Sequence, residues 1–326
     1  MQHTLKLLFI ILLCYSTFFH CDGAVNKRDT CEKRSENKSN DEMTLLAKLV
    51  VPDLEGTRKG DSGKIAVVGG SAKYTGAPYF AAISALKVGA DLVYVITTEE
   101  AAPVIKSYSP DLIVIPNKLT DIRSILSKVH VVVLGPGLGR EPENLQLAYD
   151  TIQICRDLKK PLVIDADGLY AVYKNISVLK DYPEPGVVLT PNFIETKKLI
   201  EAIPESHNTW YSHWGNAVSV LLKGATDEYH GQFDWHLDGI GSGRRAGGQG
   251  DILAGALGTF YHWSLQHKQC NGTTSEILAR SIASFAAAKL TRVCNAEGFK
   301  KYGRSMTASD MINEIHVSFD KTFVKL

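Results

Sequence analysis

The densest chemistry in this sequence lies in Gly247-Gly248-Gln249-Gly250-Asp251, with Arg244 and Arg245 just upstream. Apolar residues at helical spacing follow (Ile252, Leu253, Ala256, Leu257, Phe260), so the glycines sit at a helix N-terminus. Glycine leaves backbone N–H groups uncovered. With the positive end of the helix dipole, those donors make an anion site. Two arginines beside it can clamp phosphate bidentately. Asp251 has an ordinary use as a first-turn carboxylate, worth about 1 kcal/mol of helix stability. Beside a phosphate cradle, however, it repels the bound anion. A carboxylate kept there at a cost points to a chemical duty: taking the proton from a hydroxyl that attacks a phosphoryl group.

Such a site needs strands to aim its loops. Short β-branched runs recur at Ile65–Val68, Leu92–Ile96, Leu112–Ile115, Val129–Leu134, Leu162–Ile164, Val187–Leu189 and Val218–Leu222. Uniformly apolar runs of this length imply burial on both faces, as in a parallel sheet. Helical patterns fall between them at Ala77–Val88, Ala101–Tyr108, Ile122–Lys128, Leu145–Leu158 and Phe193–Ala202. The alternation predicts a doubly wound α/β fold with a mostly parallel central sheet flanked by helices. Tyr229–Leu237 reads as a surface hairpin. Helices follow at Ile252–Trp263, Ser275–Cys294 and Ala308–Ile315, the last with a capping-box spacing from Thr307 to Asp310.

In such sheets ligands sit beyond the carboxyl ends of the strands. Those positions hold Gly69-Gly70-Ser71, Gly135-Pro136-Gly137-Leu138-Gly139, Asp165-Ala166-Asp167-Gly168, Thr190-Pro191-Asn192 and Lys223-Gly224. Tight turns need such residues anyway, but five consecutive strand ends of this kind predict a ligand-binding edge. The chain has no GxxxxGK[ST], HExxH or GxSxG segment, and Gly135–Gly139 lacks the GxGxxG spacing of a dinucleotide fingerprint. His213, His236 and His262 are scattered and read as surface or core residues.

Lys plus Arg number 36 and Asp plus Glu 35, which leaves no electrostatic footprint for nucleic acid. Leu5–Phe19 is almost wholly apolar, the length of a signal-peptide core and too short for a membrane span; Gly23 and Ala24 offer cleavage. Residues 1–24 therefore read as a signal or targeting peptide, 25–42 as a solvated linker and 43–326 as the folded domain. The secretory pathway and endoplasmic reticulum are the expected route, with the mitochondrion as runner-up, and the mature chain has no transmembrane span. Asn37, Asn175 and Asn271 head glycosylation triplets that matter only on the secretory route. Cys155 and Cys294 lie in apolar helical stretches and read as inert core thiols.

Taken together, Gly135–Gly139, Asp165–Gly168, Thr190–Asn192 with Glu195, Lys223-Gly224 with Asp227, and Gly241–Asp251 resemble the ATP-dependent NAD(P)H-hydrate dehydratase family of the ribokinase-like superfamily. The resemblance runs from about Leu45 to Ile315, and the leader resembles the eukaryotic form. It implies a ribokinase-like fold, with ATP as co-substrate and Mg2+ as its ion. The implied reaction restores NADH or NADPH from the S epimer of its C6 hydrate (NADHX or NADPHX), releasing ADP and phosphate. Asp251 is the implied base, and the backbone of Gly247, Gly248, Gln249 and Gly250 the implied anion hole. The implied ATP contacts are Lys223, Gly224, Ala225, Thr226 and Asp227, with Gly241, Ser242, Gly243, Arg244, Arg245, Ala246 and Gly247–Gly250. The implied hydrate contacts are Gly137, Gly139, Asn192, Phe193, Ile194, Glu195, Thr196, Lys197, Lys198 and Asp251. Glu195 matches the position that organises Mg2+ through water, and it also suits a first-turn helix carboxylate.

Two positions depart from the family pattern. Ala246 replaces a usual cysteine, and Lys198 stands where arginine is common, trading a bidentate fork for a point charge. The chain is too short to carry the hydrate epimerase as well, so a separate epimerase is the expected functional partner, and homo-oligomerisation stays open. Two other readings compete: a superfamily kinase that releases its phosphorylated product, and a silent nucleotide-binding protein. Arg244, Arg245 and Gln249 favour the dehydratase over the kinase, while the intact Asp251 and glycines argue against silence.

Overall fold

In a computed structural model, residues 39–119, 121–204, 209–267 and 273–324 are described, all within the unit Ser35–Leu326. The expected leader, most of the linker, and Cys31 and Cys270 lie outside them. The first element, α1 (Asn40–Leu49), is capped by Ser39, whose Oγ accepts from Glu42 N–H at 3.2 Å. This helix starts three residues before the boundary expected at 43.

Strand and helix then alternate as β1 (Lys64–Val68), α2 (Gly76–Val88), β2 (Leu92–Thr97), α3 (Ala101–Tyr108), β3 (Ile113–Pro116), α4 (Ile122–Lys128), β4 (Val131–Leu134), α5 (Pro142–Asp157), β5 (Leu162–Ile164), α6 (Asp167–Lys174), β6 (Val187–Leu189), α7 (Phe193–Ala202) and β7 (Val218–Leu222). Next come β8 (Asp227–His230), β9 (Trp235–Leu237), α8 (Gln249–Gln266), α9 (Thr273–Tyr302), α10 (Ala308–Asn313) and α11 (Ile315–Phe323). One sheet runs β3-β2-β1-β4-β5-β6-β7-β8-β9, parallel through β7 and antiparallel at its last two joins. In register, Ile65 lies between Val93 and Val131. The order turns at β1 and β4, and both faces are buried.

Alternate residues of each strand feed two cores. Val67, Val133 and Val163 join α1, α2, α3, α8, α9 and the C-terminal helices; Val68, Leu134 and Ile164 join α4–α7. Cys155 and Cys294 lie one in each core, and burial pushes both thiols up to about 12. The predicted capping box at Thr307 forms, with Asp310 N–H on Thr307 Oγ1 and Thr307 N–H on the Asp310 carboxylate.

Two sequence expectations change. Tyr229–Leu237 is not a surface hairpin: β8 and β9 extend the main sheet, and Tyr229, Trp235 and Leu237 are buried against α9, with Trp235 edge-on to Phe285. The pattern misled because an edge strand alternates buried and exposed positions. The expected helix at Ala308–Ile315 is two helices, broken at Glu314, which is buried and bonded by Lys301.

The packing that matters for the site is α2 against α8. A Cβ on Gly255 would lie 1.9 Å from the Ala81 carbonyl oxygen, so the helices approach at a distance only glycine allows. Thr259 Oγ1 then donates to Ala85 O at 3.0 Å. This contact holds the N-terminus of α8 at the carboxyl edge of the sheet.

Candidate functional site

Five loops meet at that edge. Gly248 caps α8 with φ of +94°, a left-handed geometry that suits glycine, and a Cβ there would lie 2.7 Å from Ala308 Cβ. No side chain caps the helix, so its first N–H groups face outward. Gly247 has open space around it.

Beneath the helix start lies an ion pair from two strand ends. Lys223 follows β7, and its Nζ is 2.5 Å from Oδ1 of Asp165, which follows β5. Asp165 is 2% exposed and also accepts from Thr190 Oγ1 at 2.9 Å. A Cβ on Gly250 would lie 3.0 Å from Lys223 Nζ, so α8 begins directly on this pair. Asp251 is the next residue. Burial first, and the Asp165 carboxylate next, push its carboxyl up to about 8, while Lys223 pulls the other way. Burial also raises Glu195, against Lys223. For Lys223, burial works to lower its pKa, but Asp165 and Glu195 outweigh it and the net shift is upward.

The Asp165–Gly168 turn carries backbone strain: Ala166 has φ of +48° without being glycine. That bend sets Asp165 and Asp167 on either side of it. Asp167 Oδ2 accepts from Gly139 N–H at 2.9 Å, and Oδ1 from Arg140 Nε at 2.8 Å. Gly137 (φ +61°) leaves no room for a Cβ beside Tyr74. After β6, Asn192 caps α7: its Oδ1 accepts from Ile194 N–H and Glu195 N–H, and Glu195 Oε2 accepts from Asn192 N–H at 2.8 Å. Phe193 and Ile194, at the start of α7, are left 82% and 65% exposed.

A cleft of about 790 Å³ opens on the other side of Lys223. Of the expected ATP contacts, Lys223, Gly224, Ala225, Asp227, Gly241, Ser242, Gly243 and Arg245–Gly250 line it, as does Asn192. Thr226 and Arg244 do not, and Gly137, Gly139, Phe193–Lys198 and Asp251 lie outside it. The expected residues therefore divide into a nucleotide-sized cleft and a second face, with Lys223, Gly250 and Asp251 at their junction.

Several expected ligand contacts also make bonds that brace the site. Arg244 Nε donates to Met306 O, whereas Arg245 lines the cleft and bonds only Ser242 O among the described residues. Gln249 spends its side chain on the loop: Nε2 donates to Arg244 O at 2.9 Å, and Oε1 accepts from Asn295. Only its backbone N–H is left for an anion. Asp227 is buried, accepts from Gly224 N–H, and pairs with Arg292 Nε at 2.5 Å. Lys197 pairs with Glu201, and Lys198 lies over the Tyr173 ring, 5.5 Å from its centroid.

Arg292 and Asn295 on α9 were invisible to the sequence reading. Arg292 also donates to Gly224 O, Ala225 O and Ile240 O, and Asn295 Oδ1 accepts from Ser242 N–H. Nothing marked them out among the other polar residues of that helix, such as Arg280, Lys289 and Thr291. Asp165 and Asp167 did stand in a strand-end motif, but nothing in the sequence assigned either carboxylate a partner.

Chemically, the arrangement offers uncovered N–H donors, a lysine and an arginine to a polyphosphate. It offers a carboxylate with an elevated proton affinity to a hydroxyl on the neighbouring face.

A family model described as NAD(P)H-hydrate dehydratase matches residues 65–316. The chain is 50% identical to the ATP-dependent (S)-NAD(P)H-hydrate dehydratase of Aedes aegypti over 298 residues, 89% of this chain and 87% of that one. It is 40% identical to the Homo sapiens protein of the same description over 321 residues, 93% and 90% of the two chains. A ribokinase-like superfamily protein from Enterococcus faecalis shares the fold with a TM-score of 0.72 at 18% identity, covering 89% of this chain and 96% of that one. So does the Bacillus subtilis ADP/ATP-dependent NAD(P)H-hydrate dehydratase co-crystallised with ATP/Mg2+, with a TM-score of 0.63 at 17% identity, covering 87% and 97%.

Proposed function

We propose that this chain, which belongs to the NAD(P)H-hydrate dehydratase family, restores NADH and NADPH from the S epimers of their hydrates at the expense of ATP, with Asp251 as its base. The observation that carries the residue-level reading is the position of Asp251: first turn of α8, outside the nucleotide cleft, one residue from the glycine that rests on Lys223.

ATP occupies the cleft, its phosphates on the N–H groups of Gly247–Gly250 with Lys223 and Arg245 adding charge. Asp251 accepts the proton of the C6 hydroxyl as that oxygen bonds to the γ-phosphorus and the bond to ADP breaks. The anion hole stabilises the charge spread over the migrating group. Phosphate then leaves C6, expelled by the ring nitrogen lone pair, and loss of a C5 proton restores the double bond. Hydroxide is a poor leaving group and phosphate a good one, which is the reason for the ATP.

Mg2+ fits the carboxylates present. It keeps several waters and takes one or two carboxylates plus substrate phosphates. Glu195, held up by burial and by Asp165, gains from a nearby cation. Among the described residues no group of three or more His, Cys, Asp or Glu side chains is set to hold a metal directly; Glu195 would hold the ion through water. When bound, the ion supplies charge neutralisation on the phosphates.

Residues 1–24 direct the chain to the secretory pathway, on the strength of the apolar Leu5–Phe19 stretch, and a separate protein interconverts the R and S hydrates. Sequencing the mature N-terminus checks the first. The activity is tested with the full chain, NADHX, ATP and Mg2+. Recovery of reduced-nicotinamide absorbance with ADP in equal amount supports the dehydratase. A stable phosphorylated product makes it a kinase.

A further inference from the structure

The face away from the ATP cleft carries a cationic cluster of which only Lys198 stands among the expected hydrate contacts. Arg140 lies over the Tyr170 ring at 4.8 Å, and Lys174 over the same ring at 5.5 Å. Tyr173 meets Tyr170 edge-on, with centroids 5.1 Å apart, and carries Lys198 at 5.5 Å. Three cations thus share two rings. Only Arg140 has a carboxylate partner among the described residues, namely Asp167. A ring face offsets part of a cation's charge but cannot accept its hydrogen bonds. Gathering like charges on one surface is costly unless an anion arrives there.

The cluster is tied to the reacting centre. Asp167 holds Arg140 with one carboxylate oxygen and the Gly139 N–H with the other, and its charge is among those that raise Asp251. Tyr170, Tyr173 and Lys174 follow on the same helix, within about two turns of Asp167. Lys198 comes from α7, the helix that opens with Asn192. None of the five lines the ATP cleft. In a hydrated dinucleotide, one ribose and a diphosphate separate the reacting ring from the adenosine. The adenosine ribose of NADPHX bears a 2′-phosphate, and that of NADHX does not.

We propose that Arg140, Lys174 and Lys198, seated on Tyr170 and Tyr173, form a cationic ledge that binds the 2′-phosphate of hydrated NADPH and sets the preference for NADPHX over NADHX. The proposal rests on the dehydratase reading above. The lysines supply charge; Arg140, with Nε held by Asp167, presents its two terminal amines to the phosphate.

The test is kcat/KM of the full chain for each hydrate at saturating ATP, in wild type, Lys174→Ala, Lys198→Ala and the double variant. In the double variant the NADPHX:NADHX ratio falls by about 10–100-fold, as for loss of charge-assisted contacts. Most of that appears in the NADPHX KM. Lys198→Arg keeps the ratio, and raising the ionic strength lowers it in wild type. Adenosine 2′,5′-bisphosphate inhibits wild type competitively against NADPHX and loses potency in the double variant. An unchanged ratio, or an equal fall for both hydrates, overturns the ledge while leaving the dehydratase in place. Failure of wild type to convert either hydrate refutes the dehydratase reading instead, and the ledge with it.

Discussion

Lys223 Nζ sits 2.5 Å from Asp165 Oδ1, and Gly250 leaves only enough space above that ammonium for a helix start without a side chain. The pair connects two strand ends that lie 58 residues apart in the chain. It also acts on Asp251, whose proton affinity is raised first by burial: Asp165 adds to the rise, and Lys223 limits it.

Replacing Asp251 by asparagine removes the base without changing its shape. Turnover falls by about 10²–10⁴-fold, and the KM for ATP stays within a few-fold. In wild type the carboxyl sits at about 8, so kcat/KM for the hydrate rises with pH up to that value, about tenfold per unit. The sign for stability is opposite. A carboxyl whose folded-state value is raised stabilises the fold below its ordinary range and loses that contribution as pH climbs through about 8. Asp251→Asn therefore has a higher Tm than wild type at pH 8 and a smaller difference at pH 5. A wild-type rate in the variant refutes the role.

Lys223→Met leaves Asp165 charged, buried and without its cation. Breaking a buried pair from one side costs about 3–5 kcal/mol. Denaturant unfolding shows that loss in the single variant and partial recovery in Lys223→Met with Asp165→Asn. Activity does not return in the double variant, because the cleft has lost its lysine. Equal stability of the single and double variants contradicts the pairing energetics.

The two adjacent arginines separate by readout. Arg245 lines the cleft, with one terminal amine on Ser242 O; Arg244 does not line it and is tied through Nε to Met306 O. Arg245→Ala raises the KM for ATP by about tenfold or more, the scale of one charge-assisted hydrogen bond. Arg244→Ala mainly lowers Tm, by loosening the loop from α10. Steady-state ATP titrations and melting curves on both variants decide it, and a larger KM effect at Arg244 reverses the assignment.

Gly255→Ala drives a Cβ to 1.9 Å from the Ala81 carbonyl. A backbone oxygen cannot rotate away as a side chain can, so α2 and α8 must part. Overpacking of this kind costs about 1–3 kcal/mol or more. Since α8 carries Asp251, kcat drops along with Tm. An alanine variant as stable as wild type excludes the close approach.

Much of the architecture was legible because both faces of the sheet are buried. Continuous β-branched runs gave β5, β6 and β7 with their observed ends, and helical periodicity gave α3, α4 and α7. The edge hairpin was misread because half of its residues face solvent, and α6 was missed because Asp167 and Gly168 read as turn residues. At the site, the glycine spacing stood out, and Asp251 beside it, because a carboxylate next to a phosphate cradle is kept there at a cost.

Sequence alone could establish the family of fold and chemistry, since glycine patterns, strand ends and a helix-start aspartate are local facts along the chain. Only the tertiary structure decided which polar side chains line the cleft and which make bonds that support the loops. Gln249, Asp227 and Arg244 hold loops, while burial first and Asp165, distant in sequence, next raise the proton affinity of Asp251. That division depends on contacts across dozens of residues, where hydrogen-bond partners and burial are fixed by packing and not by neighbours in the chain.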